Sequence, residues 1–321
     1  MEVLINPSTL PGYIDKTAIT IGNFDGIHIG HQALINKVLQ LAGEGCTSGL
    51  VSFNPHPVKL LNGAKAPLVL TPLRKKMRIL QSLGVRLMVL FDFNHTFSQL
   101  APGAFVRDYL IHTIRARHIV VGRNFRFGFE GRGTPEELKA LARPHGCRVH
   151  VMPDITFEEQ TVSSSLVRAL IKKGRVERAN RLLGRCYTIL GKVQKGFGLA
   201  RFLGFPTANL PLPEEMVPAR GVYLAWCTIS PDHFPCIINV GITPTVRSRP
   251  LFIEVHILNQ EIELYNEEVE IHFIKRLREE KKFATIDMLK QAIAGDVEKA
   301  ERFFSGLTGD THGCFADFHS M

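Results

Sequence analysis

Through the first half of the chain, short apolar runs alternate with longer stretches of helical period. The runs Thr17–Ile21, Gly49–Phe53, Val85–Phe91, His118–Val121 and Arg148–Met152 have the length and residue types of buried strands. Between them, His31–Leu41, Pro72–Leu83, Pro102–Ile111 and Thr134–His145 repeat their apolar positions as amphipathic helices do. Thr71-Pro72 and Thr134-Pro135 each predict a helix start, with threonine as cap and proline in the first turn. A further helix is expected over Ser164–Leu183, broken near Gly174. Strands alternating with helices of this length predict βαβ units and a parallel sheet. Such sheets take ligands at the carboxyl ends of their strands.

The pattern changes after Leu183. Strand-like runs then follow one another with little helix: Tyr187–Val193, Val222–Ile229, Pro235–Val240, Phe252–Leu258 and Val269–Ile274. Turns rich in Gly, Pro and Asn separate them, which predicts an antiparallel sheet or small barrel. Thr285–Phe304 reads as one amphipathic helix, and the segment after it has no period. The expected domains are therefore 1–184 and 185–305, with 306–321 a disordered tail.

Composition fits two ordinary globular domains: 321 residues, 45% hydrophobic and 21% charged. No apolar run approaches the roughly 18–20 residues that a membrane-spanning helix needs. The stretch MEVLINPSTLPGYIDK lacks the basic and apolar regions of a signal peptide. A cytoplasmic protein with no membrane partner is expected. The six cysteines contain no CxxC pair, so they are expected to be scattered thiols. The net charge of +9 is uneven, +11 over 1–184 and −2 over 185–321. A basic half suggests an anionic partner, a nucleic acid or a phosphorylated small molecule, and charge alone does not separate them.

The stretch TIGNFDGIHIGHQALINKV runs from a strand through GNFDG into a helix. Its glycines allow close backbone approach to a ligand, and the helix end offers free N–H groups suited to phosphate. His28 and His31 stand at HxGH spacing. The Walker A lysine and the GxGxxG spacing are both missing. A zinc pair is disfavoured, because there is no HExxH spacing and no third ligand nearby.

Strand–GxFDGxHxGH–helix resembles the adenylyltransferase module of the prokaryotic bifunctional riboflavin kinase/FAD synthetases, members of the HxGH nucleotidyltransferase superfamily. Asn54-Pro55-His56-Pro57 resembles the PHP loop of that family. Val121-Gly122-Arg123-Asn124-Phe125-Arg126-Phe127-Gly128 resembles its VGxxFRFG segment. Ser163-Ser164-Ser165 with Arg168 resembles its SST-x-x-R motif. The resemblance implies that Gly22, Phe24, Asp25, Gly26, His28, Gly30, His31, Ser164, Ser165 and Arg168 bind ATP, with His28 and His31 catalytic. It places His56, Asn124, Phe125, Arg126 and Phe127 at the flavin. One departure stands out: where the family usually has an arginine, three residues before the central serine, this chain has Thr161.

The stretch GKVQKGFGLARFLGFPTANL resembles the glycine flap and PTAN motif of riboflavin kinases. Thr207 and Asn209 are two apart, so on an extended segment both side chains face one way. Their oxygens suit a hard Mg²⁺ that keeps waters and ATP phosphates as its other ligands. The resemblance adds Gly196, Gly198 and Arg201 to this ATP site, Glu254 in FIEVHIL as catalytic base, and Arg278 near the flavin. Gly221-Val222-Tyr223 and Asn239–Thr245 resemble further elements of the family. Ala200 stands where the flap often has glycine, and Leu199 where it often has a basic residue.

Together these matches imply an α/β Rossmann-like HxGH nucleotidyltransferase domain followed by an antiparallel β-barrel riboflavin kinase domain with a C-terminal helix. The implied activity is phosphorylation of riboflavin to FMN by Mg-ATP, then adenylylation of FMN to FAD with release of pyrophosphate. The partners are riboflavin, FMN and ATP, with no nucleic acid. Thr161 motivates the alternative of a riboflavin kinase with an impaired adenylyl site. A nucleic-acid-binding regulator is the reading from another class, but the chain lacks helix-turn-helix, zinc-finger and RRM-type signals.

Overall fold

The computed structural model describes residues 1–43, 45–55, 68–194, 205–242, 251–260, 262 and 264–306. Two compact units divide the chain, Met1–Ser164 and Ser165–Met321.

The first unit is built on six parallel strands: β1 (Glu2–Ile5), β2 (Thr17–Ile21), β3 (Thr47–Asn54), β4 (Leu87–Asp92), β5 (Ala116–Gly122) and β6 (Arg148–Met152). Their order is β1-β4-β3-β2-β5-β6. All five residues of β2 are buried, as expected for a central strand covered on both faces. Helices α1 (Ile29–Ala42) and α2 (Leu73–Ser82) cover one face. There Phe24, Ile27, Ile35 and Leu80 pack with Leu50, Met88 and Leu90. On the other face Phe105, Val106 and Leu110, with Leu138 and Ala142 of α3 (Pro135–Ala142), pack against Ile19, Val51, Val89, Phe91 and Ile119.

Each expected strand of this unit is present, with β1 in addition; EVLI is too short to stand out as a period. Thr134 caps α3 as expected, its hydroxyl accepting from Glu137 N–H at 3.2 Å. Thr71 does not cap α2. That helix begins at Leu73 with Pro72 in the cap position, and the Thr71 hydroxyl accepts from Gly26 N–H instead. The helix expected over Pro102–Ile111 is a short α-helical turn, Pro102–Ala104, running into a π-helix, Phe105–Thr113. A small hairpin, β7 (Thr156–Phe157) and β8 (Gln160–Thr161), closes the unit.

The chain passes from β2 outward through β3 to β4, then returns to the other side of β2 with β5. Strand order therefore reverses at β2, the position where open parallel sheets form a ligand crevice. The two loops that leave this point are Gly22–His28, after β2, and Arg123–Phe127, after β5.

The second unit opens with α4 (Ser164–Lys172, whose first residue belongs to the first unit) and α5 (Val176–Leu183), with Gly174 at φ 71° between them. The Asn180 carboxamide of α5 donates to the Phe273 carbonyl at 2.8 Å and accepts from Tyr187 N–H at 2.7 Å. Six antiparallel strands follow: β9 (Tyr187–Lys192), β10 (Ala208–Leu210), β11 (Gly221–Ile229), β12 (Asp232–Ile242), β13 (Leu251–Ile257) and β14 (Glu268–Glu279). Their order is β10-β13-β12-β11-β14-β9. The two edge strands meet through a bridge between Gln194 and Asn209, which curls the sheet toward a barrel. β10 has only three residues, too few to show a period.

Helix α6 (Ile286–Ser305) is capped by the Thr285 hydroxyl, which accepts from Met288 N–H at 3.2 Å. Ala300, Val297, Phe303 and Phe304 pack on Val222, Leu224 and Ile237. Cys46, Cys147, Cys186, Cys227 and Cys236 are all thiols. Among the described residues, no helix is long and apolar enough to cross a membrane. The expected tail beyond Gly306 lies outside the described residues.

Candidate functional site

The chain holds two polar clusters, one in each unit. In the first, the loop after β2 turns sharply. Phe24 and Ile27 take positive φ, 48° and 41°, and Gly26 takes 88°. Left-handed geometry is strained for a β-branched residue. Burial holds it: Phe24 is 2% and Ile27 0% exposed.

Several side chains then latch the loop. The Asp25 carboxylate accepts from Leu70 N–H at 3.0 Å and Thr71 N–H at 2.9 Å. Gly26 N–H donates to the Thr71 hydroxyl at 3.2 Å, and the Lys76 ammonium to the Asn23 carbonyl. Ser164 Oγ donates to the Asp25 carbonyl at 2.7 Å. Burial pulls the Lys76 ammonium below the usual lysine range, while the Asp25 charge pulls it back up.

His28 sits at the N-cap of α1, where its Nδ1 accepts from His31 N–H at 3.3 Å. That assignment leaves Nε2 of neutral His28 to carry the ring proton. The two imidazoles stack, with centroids 3.7 Å apart and planes 15° from parallel. Gly30 makes room for this: a Cβ there would meet the His28 ring at 3.2 Å. The Ile29 and Gly30 amides, in the first turn of α1, have no intrahelical acceptor. Stacked imidazoles beside a positive helix end form an array of N–H donors suited to phosphate oxygens.

Among the residues expected at the flavin, Asn124 and Arg126 are exposed and Phe125 is half-buried. Phe127 is only 6% exposed and packs with Phe105 in the core. Gly133 is fitted to it, since a Cβ there would meet the Phe127 ring at 2.7 Å. Asn124 reaches Asp154 at 3.3 Å. Thr161 is exposed at the end of β8, opposite Thr156. Ser165 and Arg168 lie on α4, within the second unit. His56 lies outside the described residues.

The second cluster is organised by register. Asn209 on β10 is opposite Glu254 on β13, and Glu254 is opposite Asn239 on β12. Directly opposite residues share a sheet face, so these three side chains form one polar row. Asn239 Nδ2 donates to Glu254 Oε2 at 3.2 Å. Burial pushes the Glu254 carboxyl above the usual glutamate range, and the Asn239 hydrogen bond opposes that shift. The approach to β10 is strapped to β13 by His256 Nδ1, which lies 2.8 Å from the Pro206 carbonyl oxygen. Asn209, opposite Glu254, offers a carboxamide oxygen, and Thr207, two residues before it, a hydroxyl. Among the described residues, no group of three or more His, Cys, Asp or Glu could hold a metal. This donor set fits a hard cation that keeps most of its shell as water and phosphate oxygen.

Arg278, expected near the flavin, is ion-paired. Its Nε and Nη2 meet the Asp296 carboxylate of α6 at 2.8 and 2.7 Å, and Phe283 lies against its flat face at 5.7 Å. Asp296 is 3% exposed, so this pair anchors α6. Gly196, Gly198 and Arg201 lie outside the described residues. Two contributors were not singled out from the sequence. Lys76 sits in a basic helix that reads as a solvated face, and Asn239 entered only as part of a longer segment.

Comparison with known proteins matches both halves. A family model described as FAD synthetase matches residues 11–166, and one described as riboflavin kinase matches residues 183–304. The bifunctional riboflavin kinase/FMN adenylyltransferase of Bacillus subtilis is 35% identical over 302 residues, 91% of this chain and 94% of that one. The protein of the same description from Escherichia coli K12 is 35% identical over 295 residues, 90% of this chain and 93% of that one. A solved structure named as a macrolide-efflux protein from Streptococcus pneumoniae is 27% identical with a TM-score of 0.82. It covers 94% of this chain and 99% of its own. The parallel unit with its histidine loop, the antiparallel unit with its Asn–Glu–Asn row, and these matches agree: the chain belongs to the bifunctional riboflavin kinase/FMN adenylyltransferase family.

Proposed function

We propose that this chain carries out both reactions named for its family, phosphorylation of riboflavin to FMN and adenylylation of FMN to FAD. The observation that carries this reading is the presence of two separate polar clusters, each in the unit matched by its own family model. Residues 1–184 are assigned to the adenylyltransferase and residues 185–305 to the kinase, a functional division that gives α4 and its serines to the first reaction.

In the kinase reaction, Glu254 accepts the proton of the ribityl 5′-hydroxyl as that oxygen attacks the γ-phosphorus of ATP and ADP leaves. A half-buried carboxylate with a raised pKa suits proton acceptance near neutral pH. Mg²⁺, held through Thr207 and Asn209, would supply neutralisation of phosphate charge. Gly196, Gly198 and Arg201 would cover the nucleotide, and Arg278, which Asp296 holds in place, would serve the flavin.

In the adenylyl transfer, a phosphate oxygen of FMN attacks the α-phosphorus of ATP in line and pyrophosphate leaves. No covalent enzyme intermediate is needed, so the work is positioning and charge stabilisation. His28, His31 and the amides of Ile29 and Gly30 are the donors, and the family resemblance assigns Ser165 and Arg168 to the same reaction. Gly22, Phe24, Asp25 and Gly26 shape the loop, and the Asp25 and Ser164 side chains act as latches. Asn124, Phe125 and Arg126, with His56, would serve the flavin, and Phe127 is packed into the core. The proposed site of action is the cytoplasm, where riboflavin, FMN and ATP are at hand.

Incubation of the purified protein with riboflavin, ATP and Mg²⁺, followed by chromatography, tests the reading. FMN followed by FAD is the expected result. Absence of both products would refute the reading, and FMN alone would favour a kinase with an impaired adenylyl site. Thr161 is the observation that keeps that second reading in view.

A further inference from the structure

The Asn239–Glu254 pair carries one step beyond the family assignment. We propose that Asn239 is a positioning residue of the kinase site: its carboxamide fixes the Glu254 carboxylate in one orientation. The proposal rests on the reading of Glu254 as the base.

Three observations support it. Asn239 and Glu254 are directly opposite in the β12–β13 ladder, so backbone register holds their Cβ atoms side by side. The 3.2 Å hydrogen bond engages Oε2, leaving Oε1 for a substrate hydroxyl. Among the described residues, the Asn239 amide is the side-chain donor to this carboxylate. A carboxamide NH₂ can donate and never accept, so it holds the carboxylate oxygen as its acceptor. Asn239 itself is fixed: Ile238 and Val240 on either side are both fully buried, and the ladder continues through Val222 on β11. The opposite neighbour of Glu254 is Asn209, assigned above to the metal side. One flank of the base thus sets its geometry while the other faces the nucleotide.

The test is the split between kcat and KM in riboflavin phosphorylation by the full chain with Mg-ATP. Removing the donor frees the carboxylate to turn, so the cost falls on the chemical step rather than on binding. Asn239→Ala is expected to lower kcat about tenfold, with the KM for riboflavin little changed. Asn239→Asp, nearly isosteric, replaces the donor with a like charge and is expected to lower kcat at least as far. A thermal melt matching the wild type reports that each variant is folded. An unchanged kcat in both variants, or a rise in KM with kcat unchanged, would overturn the proposal. Glu254→Gln run in parallel separates the two claims. If that variant keeps its kinase activity, the reading of Glu254 as base fails. If it is inactive while the Asn239 variants keep the wild-type kcat, only the role of Asn239 fails.

Discussion

The two clusters are held in place by opposite means. Around His28 the backbone is bent into left-handed conformations at Phe24, Gly26 and Ile27, and side chains from distant segments must hold it there. Around Glu254 the backbone is ordinary antiparallel strand, and register alone brings Asn209 and Asn239 to either side of the carboxylate. A loop site depends on its latches, so damage at a residue that touches no ligand reaches the chemistry. A ladder site is supported by every hydrogen bond of the sheet, so single changes there act locally. The first arrangement exposes backbone N–H groups for phosphate; the second presents aligned side chains for proton and metal work.

The sharpest separation of the sites comes from their chemical groups. Glu254→Gln is expected to lower FMN formation by roughly a hundred- to ten-thousand-fold, the range for loss of a general base. FAD formation from FMN should continue, because the change lies within the antiparallel unit. His31→Ala is expected to lower FAD formation by about a hundredfold or more while riboflavin phosphorylation persists. His28 carries a second duty as N-cap, so His28→Ala should also lower the melting temperature. His28→Asn, which keeps a capping oxygen, should lose FAD formation with a smaller thermal shift. Product chromatography beside a thermal melt reads both outcomes, and loss of both activities in a folded variant would break the two-site division.

The next effect probes the latches. Asp25→Asn keeps the shape of the side chain but removes the charge that Leu70 N–H, Thr71 N–H and the buried Lys76 all address. Hydrogen bonds to charged groups are worth about 1.5–3 kcal/mol, so a loss near 2 kcal/mol in stability is expected. FAD formation should fall with it, and FMN formation should hold. If stability drops and adenylyl transfer is unaffected, the loop does not need its latch and the contrast between the two sites weakens.

The contrast also explains what could be read from the chain itself. The change of period near Leu183 marked the two folds, because each strand and helix buries a face with its own repeat. HxGH and PTAN stood out because their side chains are neighbours in sequence. The partnerships that hold these motifs are not local. Asp25 meets Leu70 and Thr71 across 45 and 46 positions, so Thr71 looked like a helix cap when its hydroxyl serves the loop. Lys76, within Arg74–Arg78, gives no sign that it turns inward to a carbonyl. Asn239 meets Glu254 only once the β12–β13 pairing sets the register, and a one-residue slip would put them on opposite faces. Phe127 reads as a ligand-facing aromatic beside Phe125, yet the glycine at 133 lets it fold into the core.

The smallest expected effect concerns Thr161, where this chain departs from the arginine usual in its family. Thr161 is exposed on β8, so Thr161→Arg adds a charge without removing a packed group, and stability should change by less than about 0.5 kcal/mol. Exposed ion pairs contribute about 0.2–1 kcal/mol. The gain in phosphate attraction should therefore lower the KM for ATP in FAD formation by no more than about fivefold, and less at high salt. The kinase KM for ATP provides the internal control and should not move. A gain of that size places the existing serines, histidines and helix-end amides as the main phosphate donors. A gain of a hundredfold or more would mean that the native loop lacks its principal cation, and the latched loop would then be a scaffold awaiting a charge rather than a finished site.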